Sequence, residues 1–371
     1  MKHLKQNIFI IILLASLSFQ SCSDSATGPQ NEIPETEFRD ALNNYISENS
    51  SILGMIALIE KPGKVSIGGT AGRFDINNSK SLEITDKFHI GSTSKTFVAA
   101  IVLQLMEERL LELDSAIIKY LPSHIAEILI EIPFGKEISV YHALSHRSGL
   151  YNFTDDPNCI QMIFEDSDYQ CDPEYILRVV KDYATPIFKP GEDYSYSNTN
   201  YILLGKVIEN ITNKKLHIVL KERIYDIVGM TDTYLSGYET RIGETARAYV
   251  NNIDCLTLNT GFTWSAGGMV SSVSDMLKFF KALNLGLLFQ NPATLDLMKT
   301  DSENDNYTVG FELYDSPQYG TMYGHSGGIL GYISFMFYST EANTYLCVGI
   351  TLEESEIPDE SLIDSLIDSI Q

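Results

Sequence analysis

A serine and a lysine three positions apart, Ser92 and Lys95, are the residues of this chain whose types and spacing best suit catalysis. Residues at i and i+3 of a helix share a face, so the lysine amine would lie beside the serine hydroxyl. A free serine hydroxyl is a weak nucleophile, and a desolvated lysine loses affinity for its proton and can act as the activating base. A helix-capping serine followed by a solvated lysine has the same spacing, so the pair alone leaves both interpretations open.

The surroundings of the pair favour catalysis. The Ser-x-x-Lys pattern occurs once in the sequence. Gly91, directly before it, breaks regular secondary structure, and the run 97–111 that follows is apolar enough for a buried helix. This puts Ser92 at or near a helix start, where free N–H groups and the helix dipole favour a developing negative oxygen. A lysine held against a buried helix is costly unless it has a function.

A second candidate element is a polar loop that carries Tyr196 and Asn198. It follows a Pro-Gly turn at 190–191 and leads into an apolar helical run at 202–208, which is the type of rigid loop that presents side chains. Tyr196 could exchange protons with the Ser-Lys pair, and the Asn198 amide could bind a substrate amide. Tyr249 begins the same Tyr-x-Asn spacing, but it stands in no comparable turn before a helix.

The third candidate element is the segment 324–328, which reads Gly-His-Ser-Gly-Gly and precedes an apolar run at 332–338. The same letters match the nucleophile elbow of α/β-hydrolases, with Ser326 as the nucleophile. That elbow needs a helix after the serine and a histidine further on, whereas His325 is the last histidine of the chain. A trypsin-like Ser326 would need two β-barrels, which the helical centre of the chain contradicts. We reject both alternatives.

The elements that must position these residues form an α+β pattern. Helical periodicity prevails between 97 and 290, and both ends of the chain combine strand-like runs with one amphipathic helix. We therefore predict an antiparallel sheet built from both chain ends and flanked by the terminal helices. The predicted strands are 54–59, 64–71, 308–314, 331–338 and 345–351. The predicted domains are a sheet domain of 36–96 and 291–371 and an inserted, mainly helical domain of 97–290.

The N-terminus has the features of a bacterial export signal. Lys2 and Lys5 precede the uncharged run 8–19, which is too short for a transmembrane helix, since such a helix needs ~20 apolar residues. We interpret 1–21 as a signal peptide, Cys22 as a lipid-modified cysteine and 22–35 as a tether. The protein is then expected to be an exported lipoprotein, periplasmic or on the cell surface, and to meet the membrane only through this anchor.

Composition excludes several function classes. The net charge of −23 opposes nucleic-acid binding, which relies on neutralising phosphates. Among metal sites, His142 and His146 have zinc-binding spacing, but Ala143 stands where zinc proteases need glutamate. We expect no metal and no cofactor, a small-molecule or peptide substrate, and a monomer. A disulfide between Cys159 and Cys171 is left open, since no C-x-x-C pattern decides how the cysteines are used.

Taken in chain order, Ser-x-x-Lys, Tyr-x-Asn and His-x-Gly resemble the serine beta-lactamase / D-alanyl-D-alanine carboxypeptidase superfamily, specifically its class C-like branch. Three further stretches resemble the same branch, namely the Leu-Ser-His-x-Ser-Gly-Leu loop at 144–150, the run 188–205, and the Ala-Gly-Gly-Met turn within 265–269. The resemblance extends from about residue 36 to 350. It implies a beta-lactamase/transpeptidase-like fold and an acyl-enzyme mechanism.

The resemblance also implies a role for each candidate residue. The oxyanion hole would consist of the backbone N–H groups of Ser92 and Gly328, and loss of one such donor typically costs ~10²–10³ in turnover. The side-chain roles are Ser92 as the acylated nucleophile, Lys95 as its base partner, Tyr196 as a proton shuttle that also assists deacylation, and Asn198, His325 and Gly327 as substrate-binding residues.

One departure from the family pattern bears on the substrate. Class C beta-lactamases carry Lys-Thr-Gly where this chain has His325, Ser326 and Gly327. A lysine is a permanent cation for the beta-lactam carboxylate, whereas a histidine of ordinary pKa ~6.5 is mostly neutral at neutral pH. We therefore expect a D-amino-acid peptidase or carboxypeptidase, or an esterase of small esters. The alternatives are a beta-lactamase and a non-catalytic penicillin-sensing or peptidoglycan-binding protein.

Overall fold

The computed structural model describes residues 35–64, 66–157, 172–183, 185–258, 260–300, 306–353 and 361–370. The α-helices of these residues are α1 (Glu35–Glu48), α2 (Ser94–Glu107), α3 (Ser123–Glu131), α4 (Val140–Leu144), α5 (Pro173–Tyr183), α6 (Asn198–Thr212), α7 (Leu216–Leu220), α8 (Asp226–Val228), α9 (Val273–Asn284), α10 (Asp296–Lys299) and α11 (Ser361–Asp368). The strands are β1 (Ile52–Glu60), β2 (Ser66–Gly72), β3 (Phe88–His89), β4 (Tyr234–Leu235), β5 (Tyr249–Val250), β6 (Ile253–Asp254), β7 (Met269–Ser271), β8 (Glu312–Ser316), β9 (Gly320–Ile329), β10 (Tyr332–Ser339) and β11 (Thr344–Leu352).

The main sheet has six strands in the order β2-β1-β11-β10-β9-β8, and every neighbouring pair is antiparallel. Strand β1 pairs with β11 through partners such as Ala57 and Val348, so the two ends of the chain meet in the middle of the sheet. The predicted α+β fold, with one antiparallel sheet from both chain ends, is confirmed. The proposed division into two domains stays a prediction.

The structure differs from the predicted strands at two places, a strand that begins later than predicted and a strand that was not predicted. The strand predicted at 308–314 begins only at Glu312, because Gly310 has φ +81° and forms a turn in which its N–H donates to the carbonyl of Thr308. Strand β9 was not predicted, since its glycines and polar residues hide the two-residue alternation. The segment 324–328, which the sequence places just before the apolar run 332–338, therefore lies within a strand of its own.

Each face of the sheet is covered by its own hydrophobic cluster. On one face α1 and α11 pack against each other, and the predicted apolar faces of these helices are buried, with Phe38 and Leu42 completely enclosed. On the other face lie α2 and α9, where the rings of Phe97 and Phe279 stack with centroids 3.5 Å apart. Residues 94–105 of α2 are all buried, so the helix that follows Ser92 is the centre of the protein.

Some of the predicted sequence features lie outside the described residues and remain predictions. These are the signal peptide, Cys22, the tether, and the pair Cys159 and Cys171. Cys347 in β11 and Cys255 are both buried free thiols. None of the helices in the described ranges is both long enough and apolar enough to cross a membrane.

The packing of α1 on the sheet predicts a large loss of stability from one truncation. Leu42 is 0% exposed and lies against Gly69 of β2, so Leu42→Ala should lower the free energy of unfolding by about 2–5 kcal/mol through lost burial and a cavity. Denaturant unfolding measures this, and the matched control Leu287→Ala, at a side chain 67% exposed, should change stability little. Equal losses of stability in the two variants would contradict the packing of α1 against the sheet as part of the folded core.

Candidate active site

A single 3-10 turn, Gly91–Thr93, presents Ser92 at the start of α2. The turn presses against β9 so closely that only glycine fits on both sides. Gly91 has φ +49°, and a Cβ added to it would lie 2.7 Å from the backbone nitrogen of Gly328. A Cβ added to Gly327 would lie 2.0 Å from the carbonyl oxygen of Ile90 and 3.0 Å from the nitrogen of Ser92.

Two buried hydroxyls fasten this turn to the sheet. Ser334 Oγ of β10 donates to the Ile90 carbonyl oxygen at 2.7 Å and lies 2.7 Å from Thr93 Oγ1. Thr93 Oγ1 also lies 3.2 Å from the carbonyl oxygen of His325, to which it donates. The nucleophile candidate is therefore held by β9 and β10 as well as by its own helix.

Lys95 is completely buried, and its amine lies among three oxygen atoms from three separate segments. Its Nζ donates to Ser92 Oγ at 2.8 Å, to Asn198 Oδ1 at 2.7 Å and to the Ala266 carbonyl oxygen at 2.6 Å. Burial lowers the pKa of Lys95 well below its usual value, although Glu312 acts in the opposite direction. A lowered pKa makes it easier for the amine to give up the proton that it donates to Ser92 Oγ, and the neutral amine could then accept the serine proton across the same 2.8 Å. The complete burial of Lys95 contradicts the solvated lysine of the alternative interpretation.

Tyr196 approaches Ser92 from the other side. Its hydroxyl donates to Ser92 Oγ at 2.8 Å, and Lys95 Nζ lies 4.9 Å from the centre of its ring. Burial raises the pKa of Tyr196 well above its usual value, so the phenol keeps its proton at neutral pH. Ser92 Oγ therefore has a nitrogen base and a phenolic acid, each within hydrogen-bond distance.

The loop that carries Tyr196 and Asn198 is positioned by the segment 144–150. The His146 ring stacks on the Tyr196 ring with centroids 4.2 Å apart, and His146 Nδ1 accepts the N–H of Ser197 at 3.1 Å. Asn198 is the first residue of α6, where its Nδ2 donates to Thr154 Oγ1 at 3.0 Å. Sequence analysis connected His146 to this site only by resemblance, and the structure assigns it the part of a buried support.

The histidines considered for zinc have other partners. His142 Nδ1 accepts the N–H of Ser139 in the cap of α4, and His146 turns toward Tyr196 instead. Among the residues with described positions, no group of three or more histidine, cysteine or carboxylate side chains is arranged to hold a metal ion.

The free edge of β9 supplies backbone donors. Strand β8 pairs with β9 only as far as Gly324, and beyond it the N–H of Ser326 donates to Glu312 Oε2 at 2.7 Å. N–H groups two residues apart point to the same side of a strand, so the N–H of Gly328 points to this same edge, away from β10. Gly328 is exposed, and no atom lies within 4 Å of a Cβ added there. The backbone nitrogens of Ser92 and Gly328 thus lie on facing segments in close contact, and the oxyanion hole expected from them stays a prediction.

His325 lies behind this edge and is completely buried. Its Nε2 lies 3.0 Å from the Tyr307 hydroxyl, and its Nδ1 lies 3.4 Å from Glu312 Oε1. Burial lowers the pKa of His325, against an opposing effect of Glu312, so the ring is neutral at neutral pH. The ring itself is out of reach of a substrate, and its effect on one would pass through the backbone of β9 and through Tyr307.

The structure brings Lys95 and Tyr196 into contact with Ser92 and Asn198 into contact with Lys95, and it places Gly327 and Gly328 against the turn that carries Ser92. It adds three residues that sequence analysis did not single out: the Ala266 carbonyl, Tyr307 and Glu312. Ala266 belongs to the recognised Ala-Gly-Gly-Met turn, which was a usable signal. Tyr307 and Glu312 had none, because only tertiary contacts bring them to the site. Glu312 arrives through the pairing of β8 with β9, and Tyr307 through its packing against His146 and His325.

Several known hydrolases are similar to this chain. The crystal structure of a D-stereospecific amidohydrolase from Streptomyces sp. is similar with a TM-score of 0.76 at 26% sequence identity, covering 91% of this chain and 98% of that chain. The teichoic acid D-alanine hydrolase of Staphylococcus aureus is 24% identical over 316 residues, which are 83% of this chain and 73% of that protein. The D-aminopeptidase of Brucella anthropi is 28% identical over 235 residues, which are 60% of this chain and only 41% of that protein.

The beta-lactamase family model matches residues 41–362, a range that contains the nucleophile turn, the Tyr196 loop and β9. Because the match spans most of the chain and the similar proteins are hydrolases with this fold, the protein belongs to the beta-lactamase family and is a serine hydrolase.

Proposed function

We propose that this protein hydrolyses an amide or ester bond next to a D-amino acid, or a small ester, through an acyl-enzyme on Ser92. One observation carries the proposal: Lys95 Nζ and the Tyr196 hydroxyl each lie 2.8 Å from Ser92 Oγ. Burial favours the neutral form of both groups, so one is ready to accept a proton and the other to donate one.

Acylation follows from this arrangement. Ser92 Oγ attacks the substrate carbonyl carbon while its proton passes to the neutral amine of Lys95. The negative charge that develops on the carbonyl oxygen is stabilised by the N–H groups of Ser92 and Gly328. When the tetrahedral intermediate collapses, the leaving group takes a proton from the Tyr196 hydroxyl, and Lys95 returns its proton to that phenolate. The free leaving group and an ester on Ser92 result.

Deacylation uses the same groups in reverse. A water molecule attacks the ester carbon and gives its proton to the Lys95 amine, directly or through Tyr196. The oxyanion again lies between the N–H groups of Ser92 and Gly328. Collapse breaks the bond to Ser92 Oγ, which recovers its proton, and releases the carboxylic acid.

The substrate class rests on the relatives and on His325. The D-stereospecific amidohydrolase, the D-aminopeptidase and the teichoic acid D-alanine hydrolase all have a D-configured compound in their names. In this chain the position of the beta-lactamase lysine holds the buried His325, whose pKa is lowered. This position therefore offers no permanent cation to bind a beta-lactam carboxylate. Both points support a peptidase, amidase or esterase over a beta-lactamase.

Covalent labelling tests the nucleophile. The wild-type protein should be labelled by a fluorophosphonate probe and Ser92→Ala should not, because the attacking oxygen is absent. Peptide mapping should find the probe on Ser92. The matched control is Ser326→Ala, which removes the serine of the rejected elbow and should leave labelling intact. Labelling that persists in Ser92→Ala, or that is lost only in Ser326→Ala, contradicts the assignment. Labelling without hydrolysis of any ester, amide or lactam would favour a binding protein instead.

The pH dependence tests the base. Because neutral Lys95 is the reactive form and burial lowers its pKa, kcat/KM for a neutral ester should rise with pH through a midpoint well below 10.5. Lys95→Arg, which cannot lose its proton at these pH values, should lower kcat/KM by about 10²–10⁴. An ester without ionisable groups keeps substrate titration out of the profile. A midpoint near 10.5, or activity retained in Lys95→Arg, would rule out this base.

We also propose that the chain is exported and anchored by a lipid on Cys22, which rests on the sequence pattern of residues 1–22. Cys22→Ala should move the expressed protein from the membrane fraction to the soluble one, because the acylated side chain is missing. Ser25→Ala, in the same segment, is the control and should fractionate like the wild type. Unchanged fractionation of Cys22→Ala would exclude this anchor.

A further inference from the structure

Glu312, the first residue of β8, holds its carboxylate at the free edge of β9. Its Oε2 accepts the N–H of Ser326 at 2.7 Å, and its Oε1 lies 3.4 Å from His325 Nδ1. The side chain is 26% exposed, so part of it faces solvent at the site. It therefore occupies a backbone donor that a substrate extended along this edge would otherwise use.

The charge of this carboxylate is not balanced by a permanent cation. Within the described part of the chain its one ion-pair contact is His325, and no lysine or arginine lies within 4.0 Å of it. Burial keeps His325 neutral at neutral pH, and the same burial favours the neutral form of Lys95. The carboxylate of Glu312 thus lies at the edge of β9 without a lysine or arginine partner among the described residues, where the beta-lactamase pattern has a lysine.

Glu312 contacts β9 two residues away from the expected oxyanion position. Ser326 and Gly328 are two residues apart, or ~6.7 Å along a strand, and the N–H of Gly328 marks the oxyanion position. The residue after the scissile bond of an extended substrate spans ~3.4 Å. In a substrate that runs from Gly328 toward Ser326, a carboxylate on this residue would lie between these two points and close to Glu312.

A chain of contacts connects Tyr196, the proposed proton donor to the leaving group, with Glu312. Tyr196, the proposed donor to the leaving group, lies with its ring centre 6.1 Å from that of Tyr307. The Tyr307 hydroxyl lies 3.0 Å from His325 Nε2, and the other ring nitrogen faces Glu312. One continuous wall thus runs from the proton donor to the carboxylate.

We propose that Glu312 determines substrate specificity by repelling a carboxylate on the leaving group, so that the enzyme prefers amides and esters whose leaving group is neutral or cationic. The inference rests on the proposed function and narrows it. It disfavours peptides that end in a free D-amino acid after the scissile bond, and it disfavours beta-lactams, whose carboxylate is next to the ring nitrogen. The remaining class is amino-acid amides, aminopeptidase-type substrates with a blocked or distant C-terminus, and neutral esters.

A pair of thioesters that differ in one group tests this. D-Alanine thioesters of mercaptoacetate and of mercaptoacetamide have nearly the same shape, and only the first carries a carboxylate on the leaving group. Each is prepared with a free and with an acetylated amino group, and thiol release is measured. We expect wild-type kcat/KM to favour the acetamide at least about tenfold, and Glu312→Gln to shift this ratio at least about tenfold toward the carboxylate.

Control variants separate charge from structure. Asp315→Asn removes an exposed carboxylate from the same strand and should leave the ratio unchanged. Glu312→Asp keeps the charge and should retain the wild-type preference, which also covers a Glu312→Gln protein that fails to fold. A carboxylate that only accepted the Ser326 N–H would be replaced by the glutamine amide oxygen with no change in the ratio.

The outcomes are distinguishable. If Glu312→Gln is labelled by the fluorophosphonate at the wild-type rate and its ratio does not move, the role of Glu312 is overturned while the proposed function stands. Loss of the preference in Glu312→Asp also overturns it. If the wild type is labelled on Ser92 but cleaves none of the thioesters, the proposed substrate class fails, and the inference fails with it.

Discussion

The burial of one amine is the constraint on which the rest of this structure depends. Lys95 lies in the most enclosed helix of the protein, and an amine taken out of water is costly unless its hydrogen-bonding capacity is used. Its three acceptors come from the nucleophile turn, from the start of α6 and from the turn before β7. These segments are far apart in sequence, so the amine is satisfied only when the complete fold has formed. The burial that lowers its pKa also makes it a base.

The same constraint explains why the turn of Ser92 meets the sheet so tightly. The amine fixes Ser92 on the helix side, and β9 must then bring Gly328 within reach of the same oxyanion. Glycine at 91 and 327 permits this approach, since a methyl group at either position would collide with backbone atoms. Strand β9 is held in turn by β10 and β11, and β11 by β1. Pairing of the two chain ends thus contributes to the geometry at the nucleophile.

Electrostatics divide the site into two halves. Around Ser92 the groups are close to neutral, because burial raises the pKa of Tyr196 and lowers that of Lys95, and this favours proton transfer over fixed charge. At the edge of β9 the neutral His325 and the Glu312 carboxylate leave negative charge. The acid-base groups around Ser92 and the carboxylate at the edge of β9 belong to different residues, but they are coupled, because Glu312 opposes the lowering of the Lys95 pKa by burial.

The sequence by itself determined the reactive groups and the fold class. Three local patterns carried this: the Ser-x-x-Lys spacing, the Tyr196 loop before a helix, and the strand-like runs at both chain ends. Periodicity and turn residues can be recognised in a single segment without knowledge of its tertiary contacts. Only the tertiary structure decided which residues outside these local patterns belong to the site. Glu312 reaches Ser326 because β8 pairs with β9 in the register Glu312–Gly324, and β9 itself was missed because its glycines obscure the alternation. The burial of His325 likewise follows from packing against Tyr307. Register and burial are properties of segments in contact, so the sequence identified the candidate nucleophile, whereas the Glu312 carboxylate beside Ser326 emerged only from the assembled sheet.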